Sequence, residues 1–150
     1  ISKIHPIYEQ VTNRNCLYAI DDCFFRFWFR FIYKYLHLVE QRQMIQLQKI
    51  IVRDFDVFAG RALERYFKTK FLEEGRYTRI GAWWDRKGAN EIDLVCENEF
   101  EGVLDFYEVK LSSERYDEQR LREKTIAFFK KHPDKKSMKI KLVGLSVEDM

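Results

Sequence analysis

Apolar residues follow two different periods along this chain, and the changes of period mark its elements. Between residues 23 and 37, Phe24, Trp28, Phe31 and Tyr35 recur at i, i+4, i+7 and i+11. Phe25, Phe29 and Tyr33 add a second row, and Arg26, Arg30 and Lys34 form a stripe spaced by four. A helix apolar over most of its circumference is expected to be buried against several partners, with the cationic stripe as its solvated face. Asp21 or Asp22 is placed to cap its first turn. The segment 38–53 is expected to continue as helix, burying Val39, Ile45, Leu47, Ile50 and Ile51. Residues 54–73 form the next helix, with Phe55, Phe58, Ala59, Ala62, Leu63, Tyr66, Phe67 and Phe71 in helical period. Gly60 lies inside it at a propensity cost of roughly 1 kcal/mol relative to Ala, the mark of a close approach by another element.

After residue 75 the period shortens to two. Residues 76–84 predict a strand, 85–90 a turn, 91–97 a cleanly alternating strand, and 103–111 a third strand after the loop 98–102. Ser112 or Ser113 is expected to open a helix reaching Lys131, acidic early and basic late, which Pro133 stops. Leu121, Phe128 and Phe129 suit its inner face. Residues 138–145 alternate as a last strand. Residues 1–20 predict a short hairpin turning at Thr12-Asn13-Arg14-Asn15. The fold class is therefore α/β of the α+β kind, a sheet flanked by helices. Its first three strands pair antiparallel through short links, and the fourth, after a helical crossover, can run parallel to one of them.

Composition narrows the function classes. The 150 residues are 46% apolar and 34% charged, enough for one compact domain or one with a short appendage. Three cysteines without a C-x-x-C pair argue against a disulfide scaffold and for a reducing compartment. The three histidines are dispersed, so no local zinc signature exists. No apolar run reaches the ~18 residues of a membrane helix. The opening ISKIHPIYEQ has neither Met nor a signal-peptide layout, so a fragment of a longer cytoplasmic protein is expected. A Walker loop is absent, so this piece binds no nucleoside triphosphate in that way. The formal charge of +3 is unevenly spread: residues 54–110 are acidic between basic flanks.

That acidic middle holds the candidate chemistry. If the hairpin 91–111 turns at Phe100–Glu101, Asp93 faces Glu108, Glu91 faces Lys110 and Val95 faces Phe106. Two carboxylates then lie about 5 Å apart on one face, an arrangement that like-charge repulsion disfavours unless a cation compensates. A Glu91–Lys110 ion pair is one answer. A divalent cation is the other: Mg²⁺ takes one or two carboxylates plus waters and phosphate oxygens, with Lys110 orienting water or stabilising phosphorane charge. Glu64, on the preceding helix, offers a third carboxylate, or an i, i+4 pair with Lys68. Trp83 and Trp84 point to opposite strand faces. Arg115, Arg120, Arg122 and Lys124 interleave with acids and read as a solvated helix face rather than a phosphate path.

Glu64 on a helix, then Glu91-Ile92-Asp93, then Glu108-Val109-Lys110 resembles the PD-(D/E)XK nuclease superfamily. Its α-β-β-β-α-β, restriction-endonuclease-like core has a counterpart for every element between residues 54 and 145. The superfamily's Pro-Asp is replaced here by Ile92-Asp93. The resemblance implies Glu64, Asp93, Glu108 and Lys110 as catalytic residues, with Asp93 and Glu108 holding Mg²⁺ (Mn²⁺ being the alternative) and DNA as substrate. Tyr18 to Asp22, the aromatic run 24–31, Gly60, Glu64 and Gly81-Ala82-Trp83-Trp84 further resemble the C-terminal region of archaeal-type P-loop ATPases. That resemblance implies upstream ATPase and winged-helix domains in the same protein. Residues 1–53 would then hold a winged-helix remnant and aromatic linker helices, and 54–150 the nuclease-like domain. It leaves a homo-oligomer open and no role for a membrane. Two functions follow: Mg²⁺-dependent hydrolysis of DNA, or a catalytically inactive nuclease-fold module that regulates or targets the ATPase.

Overall fold

A computed structural model describes residues 1–10, 16–86 and 88–150. Two short strands, β1 (Ser2–Ile4) and β2 (Leu17–Ala19), pair antiparallel as a hairpin. The expected turn at residues 12–15 lies outside the described residues. Next come α1 (Cys23–Phe27), a π-helical turn (Trp28–Ile32), a 3-10 turn (Tyr33–Tyr35) and α2 (Leu36–Glu40). The core follows in the order α3 (Met44–Glu74), β3 (Arg79–Trp84), β4 (Glu91–Asn98), β5 (Val103–Val109), α4 (Glu118–Lys131) and β6 (Lys139–Leu145). This is the expected α-β-β-β-α-β order. The four-stranded sheet runs β3-β4-β5-β6; β3, β4 and β5 pair antiparallel, and β6 returns through α4 to lie parallel to β5.

The period-two pattern explains how the sheet is covered. Alternate residues of β4 and β5 point to opposite faces. Leu94, Cys96, Tyr107 and Val109 meet Leu63, Phe67 and Phe71, which α3 presents at i, i+4 and i+8. Val95, Leu104 and Phe106 point the other way, onto Leu121 and Phe128 of α4, with Trp83 in the same cluster; Ile92 joins them, out of step with Leu94 and Cys96, because the alternation of β4 is broken by one extra residue opposite Gly81–Trp83. Trp83 is fully buried and Trp84 half-buried, as alternation requires. Phe128 is ringed by Tyr8, Trp83, Phe106 and Phe129 at centroid distances of 5.1 to 6.1 Å.

The helices depart from expectation in four places. First, one 31-residue helix, α3, replaces the two expected over 38–53 and 54–73. The break comes earlier, at Gln41–Gln43, where Arg42 takes a left-handed φ of 59° that a helix interior cannot hold. α3 stops at Gly75, whose φ of 64° gives the left-handed cap glycine tolerates best.

Second, the aromatic segment is not enclosed. Phe31 is fully buried, but Phe24, Phe25, Phe29 and Tyr33 are each about half exposed or more. Arg26 and Arg30 of the supposedly solvated stripe are instead half-buried, with the Arg26 guanidinium 5.7 Å from the Phe58 ring on α3. Periodicity revealed an apolar circumference; it could not say which side another element would cover. Ile45 and Phe55 are likewise exposed, not buried. Asp22 does cap α1, accepting the Phe25 N–H at 3.0 Å.

Third, the helix expected from Ser112 begins only at Glu118, because Asp117 caps it by accepting the Arg120 N–H at 3.1 Å. Ser113–Arg115 forms a separate 3-10 turn. Fourth, Gly60 permits no close approach: a Cβ built there meets nothing within 4 Å. Gly60→Ala is therefore expected to raise stability by about 0.5–1 kcal/mol, since Ala restricts the unfolded chain and favours helix at no steric cost. Denaturant unfolding that shows a lower midpoint for Gly60→Ala would contradict this.

Candidate functional site

The hairpin register is the expected one from Asn98–Val103 to Leu94–Tyr107, but the expected Asp93–Glu108 and Glu91–Lys110 pairs do not form in the ladder. Val95 pairs with Phe106 and Leu94 with Tyr107. The ladder ends one step before Asp93 and Glu108, where β4 carries one extra residue: Gly81 lies opposite Val95 and Trp83 opposite Ile92, so three steps of β4 face two of β3. The Asp93 Oδ2 accepts the Val109 N–H at 2.7 Å. On the other side of β5, the Lys110 N–H reaches the Leu145 carbonyl at 2.8 Å. The end of β5 is thus held between β4 and β6, and Glu108 and Lys110 are presented from a fixed backbone.

Glu108 is the centre of the arrangement, 2% exposed. Its Oε1 faces two ammonium groups, Lys110 Nζ at 2.7 Å and Lys124 Nζ at 3.2 Å. Its Oε2 is buried and makes no hydrogen bond. Two sequence readings are corrected here. Lys110 pairs with Glu108 from two positions along the same strand face, not with Glu91, which lies opposite Trp84 in the ladder with β3. Lys124 is not on a solvated helix face; α4 packs on the sheet through Leu121 and Phe128, and Lys124, three residues after Leu121, is carried onto the site by that packing. Helical period flags Lys124 as a neighbour of the inner face, but nothing in the sequence ties it to Glu108.

Electrostatics divides the three carboxylates. Burial alone would raise the Glu108 carboxyl, yet Lys110 and Lys124 together hold it below its ordinary value. Burial raises Asp93, only partly offset by the Val109 N–H and by Lys110, while the Glu108 charge adds to the rise. Glu64 is pushed up to about 7, first by burial and then by the negative charges of Asp93 and Glu91. Glu64, from α3, therefore shares the field of the strand carboxylates. Near neutral pH it can hold or release a proton beside the strand carboxylates.

Among the described residues, no three of His, Cys, Asp and Glu converge on a common point fit for a metal. The neighbouring strand ends carry two carboxylates, Asp93 on β4 and Glu108 on β5. Asp93 keeps one oxygen free of the Val109 N–H, and Glu108 keeps its bare Oε2. That donor set fits Mg²⁺, whose remaining positions are commonly taken by waters and phosphate oxygens. Tyr116 closes the site from the side, its ring packed on Gly144 of β6 so tightly that a Cβ there would collide with it.

A mixed sheet between two helices, with two carboxylates and two lysines at one strand end, defines an α+β domain with an acidic, lysine-clamped site. The chain belongs to a family described as archaea bacterial proteins of unknown function, DUF234, which matches residues 28–124. It is also similar to an uncharacterized protein of Methanocaldococcus jannaschii, 30% identical over 117 residues, covering 73% of this chain and 26% of that protein. The chain thus spans about a quarter of the relative's length. Among the described residues, no helix is long and apolar enough to cross a membrane.

Proposed function

We propose that this chain is the nuclease-like part of a cytoplasmic DNA-acting protein of the PD-(D/E)XK kind, hydrolysing phosphodiesters with Mg²⁺. The observation that carries this reading is Glu108: a fully buried carboxylate with one oxygen on two lysines and the other bare, at the same strand end as Asp93. A buried, unpaired carboxylate oxygen is costly and calls for a partner. Asp93 and Glu108 would hold the ion. Bound there, Mg²⁺ would polarise the scissile phosphate and offset its charge.

The protein's own groups have separable roles. Lys110, a third exposed and flexible, can turn from Glu108 to orient a water or meet phosphate charge. Lys124, at 13% exposure, stays behind to hold Glu108 in place. Glu64, titrating near neutrality, can take the proton that the attacking water loses. The test is metal-dependent nicking of supercoiled plasmid by the intact protein. Asp93→Ala and Lys110→Ala should each fall to background; cleavage at the wild-type rate by either overturns the reading.

The second reading is an inactive nuclease-fold module that regulates or targets upstream ATPase and winged-helix domains. Its support is the missing third metal ligand among the described residues, together with lysines already filling one side of Glu108. Millimolar Mg²⁺ or Mn²⁺ that leaves the melting temperature unchanged, with and without DNA, would favour it.

A further inference from the structure

The exposed side of α3 is basic beside the site. At 3.6 residues per turn, Arg61, Arg65 and Lys68 project from one side of the helix. Glu64 lies on one flank of that row, and Ala62 and Tyr66 on the other. Along the second flank, between α3 and the start of α1, runs an open cleft of about 310 Å³ with Asp21, Arg26, Arg65 and Tyr66 in its walls.

Positive charge is crowded there. Arg26 reaches in from α1, and burial, followed by the charges of Arg65 and Arg61, depresses its guanidinium. Arg61 and Arg65 are a like-charged i, i+4 pair, which destabilises an isolated helix. Asp21 answers only weakly: its carboxylate is 3.9 Å from Arg65, whose short hydrogen bond goes to the Asp21 backbone carbonyl at 2.9 Å. No carboxylate lies within ion-pair distance of Arg26 or Arg61 among the described residues.

One exposed ring, Tyr66, stands in the wall of the same cleft. Tyr66 is 38% exposed there. Phe25 stacks on Phe29 at 6.4 Å and Phe29 meets Tyr33 at 5.6 Å, a second exposed row on a side of α1 other than the Cys23 and Arg26 side that lines the cleft. Guanidinium groups recognise phosphate oxygens bidentately. Exposed rings stack on bases of any sequence. A duplex keeps its base faces covered, so the Tyr66 ring fits an unpaired base. An apolar protein surface laid here would desolvate the arginines without supplying an anion, a net cost.

We propose that the α1–α3 cleft binds single-stranded DNA, with phosphates on Arg26, Arg65 and Arg61 and a base against Tyr66. The strand then crosses the basic row of α3 to reach Glu64 and the strand carboxylates. The path to the site rests on the nuclease reading; binding in the cleft does not.

The test is fluorescence anisotropy of a short labelled oligothymidylate on the intact protein in EDTA at low salt. Arg26→Gln with Arg65→Gln should weaken binding about tenfold or more, and lower the slope of log K against log salt by ~0.7 per arginine. Because Arg65 also ties down the Asp21 backbone, Arg26→Gln with Arg61→Gln serves as a second pair free of that bond. Tyr66→Ala should weaken the oligonucleotide but not heparin, an anion without bases. Equal affinity of wild type and both double variants overturns the proposal. So does a duplex or heparin that competes as well as the single strand, or binding only to a partner protein. Arginine-dependent binding without any cleavage would sink the nuclease reading and leave this one standing; normal cleavage by Arg26→Gln with Arg61→Gln would do the reverse.

Discussion

Glu108→Gln is expected to unfold at markedly lower denaturant, by about 3 kcal/mol, and to lose metal-dependent cleavage at least a thousandfold. Glutamine keeps the volume and one acceptor oxygen but removes the charge that Lys110 and Lys124 share. Lys124 is the more enclosed of the two, and an ammonium left without its counterion in such a place costs several kcal/mol. The size of the loss should depend on pH in one direction. The Glu108 carboxyl is held below its ordinary value in the folded protein. Its contribution is therefore present above the unfolded pKa and is lost as pH falls through the folded one. Wild type and Glu108→Gln should differ most near neutrality and converge as pH falls below the ordinary glutamate range. Lys124→Met should cost less than Glu108→Gln, because Lys110 remains on the same oxygen. Urea midpoints of the three proteins at neutral and acid pH decide the matter; a gap that widens on acidification contradicts the charge argument.

Glu64→Gln should behave in the opposite sense. Glu64 is pushed up to about 7, mainly by burial, with Asp93 and Glu91 adding repulsion. Between the ordinary glutamate value and neutrality, the folded protein holds a proton that the unfolded chain has released. Stability must then fall as pH rises through that window. Partial solvent access screens the effect, so roughly 2 kcal/mol is the expected cost of ionising Glu64 in place. Glutamine, neutral at every pH, avoids it. Glu64→Gln should match wild type near pH 5 and exceed it by that amount at pH 8. If Glu64 also accepts the proton from the attacking water, the same substitution should abolish the acidic limb of the cleavage profile. A Glu64→Gln stability advantage that is equal at pH 5 and pH 8 would place the Glu64 carboxyl back in the ordinary range.

Much of this site was legible along the chain. The alternation of residues 91–97 and 103–111, with the turn between them, set the register that pairs Val95 with Phe106. The pairing does not run on to Asp93 and Glu108, because β4 carries one extra residue between Ile92 and Val95. Asp93 instead satisfies Val109 through its side chain, and Glu108 takes Lys110 as its own partner. Cross-strand geometry alone does not choose between such options. Each side chain settles on whichever neighbour satisfies the most buried polar atoms, and that depends on everything packed around it.

The sequence by itself determined the order of elements, the alternation that buries both faces of the sheet, the Asp22 cap and the residues that carry charge at the end of β4 and β5. These are consequences of local period and of neighbours a few positions apart. The tertiary structure decided what period cannot express. It brought Lys124 onto Glu108 across sixteen positions of sequence, by packing α4 on the sheet. It merged two expected helices into α3 because nothing at residues 53–54 breaks one, and it left the aromatic side of α1 open while turning Arg26 and Arg30 toward α3. Which face of an apolar helix is covered is a property of the partner, and a partner is not written in the helix's own repeat.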